Sequence, residues 1–282
     1  MPKISINTGI CTKCNLCVEV CPKKIFNLVN KSFPEIKNEE TCIECGHCLA
    51  ICPANAVEYP SIKKAEVIGK ANKSLLNINP VLASIRSVRK FKDINIEENI
   101  INDLINTASL APAASNARHV EFLIINNKTV MRDMEKLVIR HFKNLLKKMN
   151  PFVKAIIYLF SRDYYHYIKQ TRPSIVSLVE QYENGKAPIF RDPPHVIIIY
   201  APKVNPMSKD NCDGQMHYFR LAAHAKGLGS CVIGYAMNSH KALEKYLKIG
   251  KKNKIFGVLT FGYPKYNYSK MIFRKSGRIF MN

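Results

Sequence analysis

The sequence predicts an α+β fold in two parts, a small cysteine-rich unit followed by a larger domain, and three observations predict it. Eight of the ten cysteines lie between residues 11 and 52, in two runs of identical spacing. From about residue 80 onward, stretches of helical period alternate irregularly with short continuous apolar runs of strand length. That order lacks the regular strand–helix–strand alternation of a doubly wound sheet, and no G-x-G-x-x-G turn opens any of its helices.

Cys11, Cys14, Cys17 and Cys21-Pro22 form a C-x2-C-x2-C-x3-C-P run, and Cys42, Cys45, Cys48 and Cys52-Pro53 repeat it 31 positions later. A repeat at a fixed offset is an internal duplication. Three thiolates at two-residue intervals let one tight loop wrap the face of an iron–sulfur cube. The x3 step carries the chain into a helix, and the proline stops that helix. Structural zinc takes CxxC pairs, but it needs four ligands per site and does not call for this double run. Disulfides belong to oxidising compartments, and nothing here marks secretion. The spacing resembles that of two-cluster bacterial ferredoxins. The resemblance implies two [4Fe-4S] clusters, one on Cys11, Cys14 and Cys17 with Cys52, the other on Cys42, Cys45 and Cys48 with Cys21.

A length of 282 residues has room for one small and one medium domain: residues 1–60, a connector over 61–79, and a domain over 80–282. The connector has no apolar period, only Pro60 before it, four lysines, Gly69 and Asn72-Lys73-Ser74. The hydrophobic share of 47% is ordinary for a folded protein. The longest apolar runs, Ala155 to Phe160 and Val196 to Ala201, are of core length and far short of a bilayer span. With no signal peptide and with oxygen-sensitive clusters, the expected location is the cytoplasm of a reducing, anaerobic cell. The net charge of +22 favours acidic partners and anionic surfaces. The basic residues are spread along the chain without a recognisable nucleic-acid module, which argues against nucleic acid. An acidic electron donor, an anionic substrate or a membrane surface fits at least as well.

In the second domain, Pro80 to Ser87 reads as a short helix with proline at its first position. Ile96 to Leu110 reads as a helix with Ile100, Leu104 and Ala108 on one face, stopped at Ala111-Pro112. Val120 to Ile125 reads as a strand and Lys128 to Lys148 as a strongly basic helix. Pro151 to Gln170 reads as an aromatic, basic helix, with a separate helix over Ser174 to Asn184. His195 to Ala201 reads as a buried central strand. Ser208 to Lys226 is a long helix ended by Gly227, and His240 to Ile249 a shorter one between strands at Ser230 to Tyr235 and Ile255 to Tyr263.

Four segments of this domain carry chemistry. In Arg86-Ser87-Val88-Arg89-Lys90-Phe91, two arginines flank a serine, a pattern able to clamp a phosphate by charge-assisted hydrogen bonds. In Ala111-Pro112-Ala113-Ala114-Ser115-Asn116, small residues let a flat ring approach the backbone, and Asn116 offers a donor and an acceptor. Gly227-Leu228-Gly229-Ser230-Cys231-Val232-Ile233-Gly234 leads into a strand, and Gly262-Tyr263-Pro264 precedes the basic Arg274-Lys275. In this order the segments resemble the nitroreductase family of FMN oxidoreductases over residues 80–282, and the whole chain resembles the ferredoxin–nitroreductase fusions of anaerobes.

The resemblance implies an α+β homodimer with a central mixed sheet and FMN at the subunit interface. Arg86, Ser87 and Arg89 would hold the phosphate and ribityl end, and Arg274 would complete that site. Pro112, Ala113, Ala114 and Asn116 would reach the ring from the partner subunit, and Ile233 and Gly234 would offer backbone N–H near the flavin N5. Two departures bear on the substrate face: Ile85 stands where the family often has another arginine, and Ala117-Arg118-His119-Val120 replaces x-Q-P-W. His119, which follows the ring loop, is the candidate proton donor. Cys212 and Cys231 read as buried hydrophobes. The aromatic segment 136–182 is read as packing, a pocket lining or a membrane-facing surface. The function expected is reduction of an organic acceptor (a nitroaromatic, quinone, activated alkene or flavin) by electrons from NAD(P)H or an external low-potential donor. The alternative is a redox sensor or electron-transfer protein that docks on an acidic partner without turnover.

Overall fold

The computed structural model describes residues 4–28, 32–37, 39–59, 81–82, 84–149, 151–266 and 280. The connector expected over 61–79 and Arg274 lie outside them. The chain divides into two units: Met1–Asn77 with Ala113–Arg118, and Ile78–Pro112 with His119–Asn282.

In the first unit the duplication seen in the cysteines recurs in the backbone. Short helices α1 (Leu16–Glu19) and α2 (His47–Ile51) each start inside a cysteine run, from Asn15 and Gly46 in the left-handed region. Within the described part of residues 4–59 the other positive-φ residues pair off at the same 31-residue offset: Lys13 with Glu44, and Lys24 with Asn55. Strand β1 (Ser5–Ile6) pairs antiparallel with β4 (Val57–Glu58), and β2 (Phe26–Asn27) with β3 (Glu35–Ile36). The core beneath them is small: Ile4, Cys17, Ile25, Phe26, Leu49, Val57 and Tyr59.

In the second unit four strands form a sheet in the order β5 (Glu121–Ile125), β6 (His195–Pro202), β8 (Asn253–Gly262), β7 (Gly229–Val232), with every ladder antiparallel. A parallel bridge from Ser87 to Ser230 makes the sheet mixed at the β7 edge. Strand β6 does not alternate polar and apolar because both of its faces are covered. Val196 and Ile198 point into one cluster with Met134, Val138 and Phe142. Ile197, Ile199 and Ala201 point into another with Leu104, Ala108 and Phe219. The first cluster is closed by α4 (Lys128–Lys148) and α6 (Arg162–Glu183), the second by α3 (Glu98–Ala108) and α7 (Ser208–Ala225). The Glu135 carboxylate is buried and accepts the N–H groups of Ile189 and Phe190, tying the loop before β6 to α4.

Five expectations are corrected. Of the helix expected at Pro80 to Ser87, the described residues Val81, Leu82 and Ser84 are helical, whereas Ser87 is bridged to the sheet. The aromatic region breaks at Ser161 into α5 (Pro151–Phe160) and α6, where Ser161 caps α6 by accepting the Tyr164 N–H. No second break occurs at Pro173, which sits inside α6. Strand β7 stops at Val232, and Tyr235 lies in the short helix α8 (Gly234–Met237), followed by α9 (His240–Tyr246). The apolar run Ala155 to Phe160 is not core at its end: Leu159 and Phe160 are 80% and 87% exposed. Among the described residues no helix is long and apolar enough to cross a membrane.

Candidate functional site

The eight run cysteines all lie in the first unit. Cys17 is buried within electrostatic reach of Cys11 and Cys52, and Cys48 within reach of Cys42 and Cys45. These are three of the four cysteines expected at each cube, though among the described residues no three such side chains stand close enough to hold a metal ion as they are placed. Burial pushes the Cys17 thiol up, and the Cys48 thiol up to about 11. A bare thiolate is therefore unfavourable at these positions, and a bound cation is what stabilises it. Soft thiolates alone form the donor set, which suits iron–sulfur chemistry. Backbone N–H groups already point at three sulfurs: Ile25 at Cys21 (3.5 Å), Glu44 at Cys42 (3.4 Å) and Ala56 at Cys52 (3.2 Å). The Tyr59 hydroxyl interacts with Cys42 and Glu44, and its pKa is pushed up to about 12, by burial first and then by those two groups.

The loop Ala113–Arg118 belongs to this unit as well. The Asn116 amide donates to the carbonyls of Ile43 and Glu44, both at 2.9 Å, so only its oxygen is left to face a ring. Arg118 donates to the Glu44 carbonyl at 3.1 Å and has its guanidinium 3.9 Å from the Glu44 carboxylate.

In the second unit, the Arg86-to-Phe91 segment runs along the sheet edge. Val88 N–H donates to Ser230, Lys92 N–H to Tyr263, and Lys265 N–H to Lys90. A Cβ on Gly229 would come within 2.5 Å of the Val88 side chain, so only glycine allows this approach. The edge shapes a cavity of about 260 Å³ walled by Ser84 to Arg86, Val88, Arg220, His224, Gly227 to Ser230, Pro264 and Tyr266. Arg86 lines it, while Ser87 and Arg89 do not. Arg89 is exposed, with its guanidinium on the Ser87 carbonyl at 3.3 Å.

Ile233 does not offer its N–H as expected. It donates to Val258 at 2.8 Å, closing the end of β7 onto β8. Gly234 opens α8, where the first N–H groups have no partner within the helix. His119 Nε2 lies 3.4 Å from both Ser208 Oγ and Asn211 Nδ2 at the start of α7, contacts that give its proton-donor role no support. Cys212 and Cys231 are buried, and burial pushes the Cys212 thiol up to about 12.

A second cavity of about 150 Å³ lies between α4, α6 and α8. Phe142, Leu145, Ile175 and Tyr235 form its apolar part, and Tyr164 and Tyr167 stack beside it with ring centroids 6.4 Å apart. His141, Arg172 and Asn238 are exposed at its rim.

Sequence reasoning missed Arg220 and the contact of His224 with Ser84. The two α7 residues are four apart, so they share a helix face, but which face meets the sheet edge is visible only in the fold.

A sequence profile of the Nitroreductase family matches residues 82–263, and one of a 4Fe-4S dicluster domain matches residues 10–57. An iodotyrosine deiodinase of Thermotoga neapolitana is 23% identical over 182 residues, covering 64% of this chain and 84% of its own. Among solved structures, a nitroreductase with bound FMN from Bacteroides fragilis is similar at a TM-score of 0.55 and 16% identity, covering 73% of this chain and 98% of that one. An iodotyrosine deiodinase bound to FMN and 3-iodo-L-tyrosine is similar at 0.54 and 17%, with the same coverage. These structural likenesses bear on the fold alone. The match of the family profile to well over half of the chain places it: the protein belongs to the nitroreductase family, with a 4Fe-4S dicluster domain ahead of its family domain.

Proposed function

We propose that the chain is an FMN-dependent oxidoreductase that passes electrons between two [4Fe-4S] clusters and FMN to reduce an organic acceptor, and that the acceptor is a single-ring aromatic. The observation that carries the reading is the joining, in one chain, of a double cysteine run to a family domain whose sheet edge holds a cationic cavity of about 260 Å³, with room for a phosphate. FMN, when bound, supplies both one- and two-electron chemistry, which is what a wire of single-electron clusters needs at its end.

The chain's own residues bind and orient. Arg86 faces the phosphate from the cavity wall, and Ser87 and Arg89 serve the ribityl end from the other side of the segment. Gly234 N–H stands near N5. Pro112, Ala113, Ala114 and the Asn116 oxygen approach the ring from the partner subunit of a homodimer. Arg274 completes the phosphate site. The clusters use Cys11, Cys14, Cys17 and Cys52, and Cys42, Cys45, Cys48 and Cys21.

The aromatic acceptor is supported by the second cavity. A volume of about 150 Å³ accommodates one benzene-sized ring. Its apolar lining with a few polar groups at the rim is the usual composition of a small-molecule site, and Tyr235 of this cavity directly follows Gly234. Filling it with Leu145→Trp is expected to raise KM for a single-ring nitroaromatic or quinone by at least about tenfold, since shape losses in such pockets cost that much. Flavin content stays unchanged. An unchanged KM would move the acceptor site elsewhere.

The reaction itself is tested by anaerobic stopped-flow on the full holo-protein, offering NAD(P)H and a reduced ferredoxin-type donor separately. Bleaching of the flavin by either, followed by reoxidation with the acceptor, is the expected result. A loaded protein that neither donor reduces would sink the proposal.

A further inference from the structure

The cavity at the sheet edge is more cationic than the Arg86 segment alone makes it. Arg220 and His224 line it from α7, together with Arg86. None of the described residues lining it is acidic. The Arg220 Nε is buried and has no hydrogen-bond partner among the described residues. A guanidinium keeps its proton under all physiological conditions, so this N–H is a permanent donor. A buried donor left unpaired is costly, and native structures rarely carry one without a reason.

His224 has a defined task on the same wall. Its Nε2 is 2.7 Å from Ser84 Oγ, and the Ser84 hydroxyl donates its one proton to the Val81 carbonyl at 2.9 Å. The serine oxygen is thus the acceptor and Nε2 the donor, which clips the turn before Arg86 to α7. Arg86 and Arg220 thus line the same cavity, whose wall includes the close contact of Val88 on Gly229. Two guanidiniums lining one cavity suit a ligand with several anionic oxygens, because each can bond to two of them.

We propose that Arg220 binds a phosphate monoester in this cavity, together with Arg86, and that the phosphate is the terminal group of FMN. The inference rests on the flavin reading above and changes its residue set: the anion lies between Arg86 and Arg220, and Ser87 and Arg89 serve the rest of the cofactor. A separately bound phosphorylated ligand would present the same chemistry, and the experiment below separates the two sources.

The full chain with its clusters intact is stripped of flavin and titrated anaerobically with FMN and with riboflavin, following flavin fluorescence. Wild type, Arg220→Gln and Arg220→Lys are compared at matched iron content and matched far-UV circular dichroism. Loss of a charge-assisted contact should weaken FMN about 10- to 100-fold in Arg220→Gln. Riboflavin binding should stay within about twofold, and Arg220→Lys should fall between. If both flavins bind all three proteins equally, inorganic phosphate is tested by thermal shift of the flavin-loaded protein. A shift lost in Arg220→Gln then assigns the site to a separate phosphorylated ligand. Equal weakening of FMN and riboflavin, or no change in any arm, overturns the role of Arg220. A wild-type chain that binds neither flavin sinks the flavin reading instead, and the phosphate arm alone then decides the site.

Discussion

Replacing Cys48 by Ala is expected to cut the iron content of the chain from about eight to about four or fewer, with parallel loss of acid-labile sulfide. Cys48 lies in α2 near Cys42 and Cys45 and packs against the small core of the first unit. That core has only seven buried side chains among the described residues, too few to hold a unit of this size without metal. Losing one thiolate therefore removes a ligand and part of the scaffold at once. A drop to about four irons means the other cube survives alone. A drop toward zero means the cubes stabilise each other. Cys212→Ala is the control, because Cys212 is equally a cysteine but buried in the second unit's core, and its iron content should stay full. Full iron in Cys48→Ala would remove Cys48 from the ligand set.

The second large effect is expected from Gly229→Ala. The added Cβ would lie 2.5 to 2.8 Å from three atoms of Val88, a separation that real side chains do not tolerate. Two of those atoms are methyl groups, but the third is the Val88 Cβ itself at 2.6 Å, which no rotamer change can move. The Arg86-to-Phe91 segment must therefore lift off β7, stretching the Val88 N–H bond to Ser230. Overpacking of this kind costs about 1–3 kcal/mol, and it displaces Arg86 from the cavity. Both melting temperature and flavin content should fall. The rescue pattern identifies the cause: adding Val88→Ala leaves the offending Cβ in place and rescues little, whereas adding Val88→Gly removes it and restores flavin content. A Gly229→Ala protein with unchanged flavin content would show that the segment does not need its contact with β7.

The parts that could be read from sequence were those where chemistry or packing demands particular residues at short range. Cluster ligation needs cysteines at fixed steps, so the double run was visible at once. Strand β6 was visible because both faces are buried and the run is continuously apolar. Helix α4 was visible through its even amphipathic period. What escaped depends on partners distant in the chain or on solvent. Pro173 reads as a helix break, yet α6 continues through it, because Lys169, whose carbonyl the proline leaves unpaired, is exposed and water can satisfy it. The break at Ser161 is a capping effect that a local apolar count does not see. The Ile233 N–H looked free until Val258 was placed beside it. Arg220 stands in a helix among ordinary packing residues, and only the sheet edge opposite it shows what its guanidinium faces.

The duplicated backbone of the first unit does not carry duplicated charge. At matching places in the two halves stand Lys13 and Glu44, and likewise Leu28 and Tyr59. A cube gains one negative charge on reduction, so a nearby cation raises its potential and a nearby anion lowers it. Lys13 is exposed, over the Phe33 ring, and is partly screened by water. Glu44 is half-buried beside Tyr59 and Cys42, and Arg118 stands 3.9 Å away and exposed. With the ligand sets expected above, the two cubes are expected to form a step in potential, with the higher side at the cube on Cys11, Cys14, Cys17 and Cys52, where a lone electron would rest. EPR-monitored potentiometry of the full chain should resolve two waves. A single wave for both cubes would mean that solvent erases the difference.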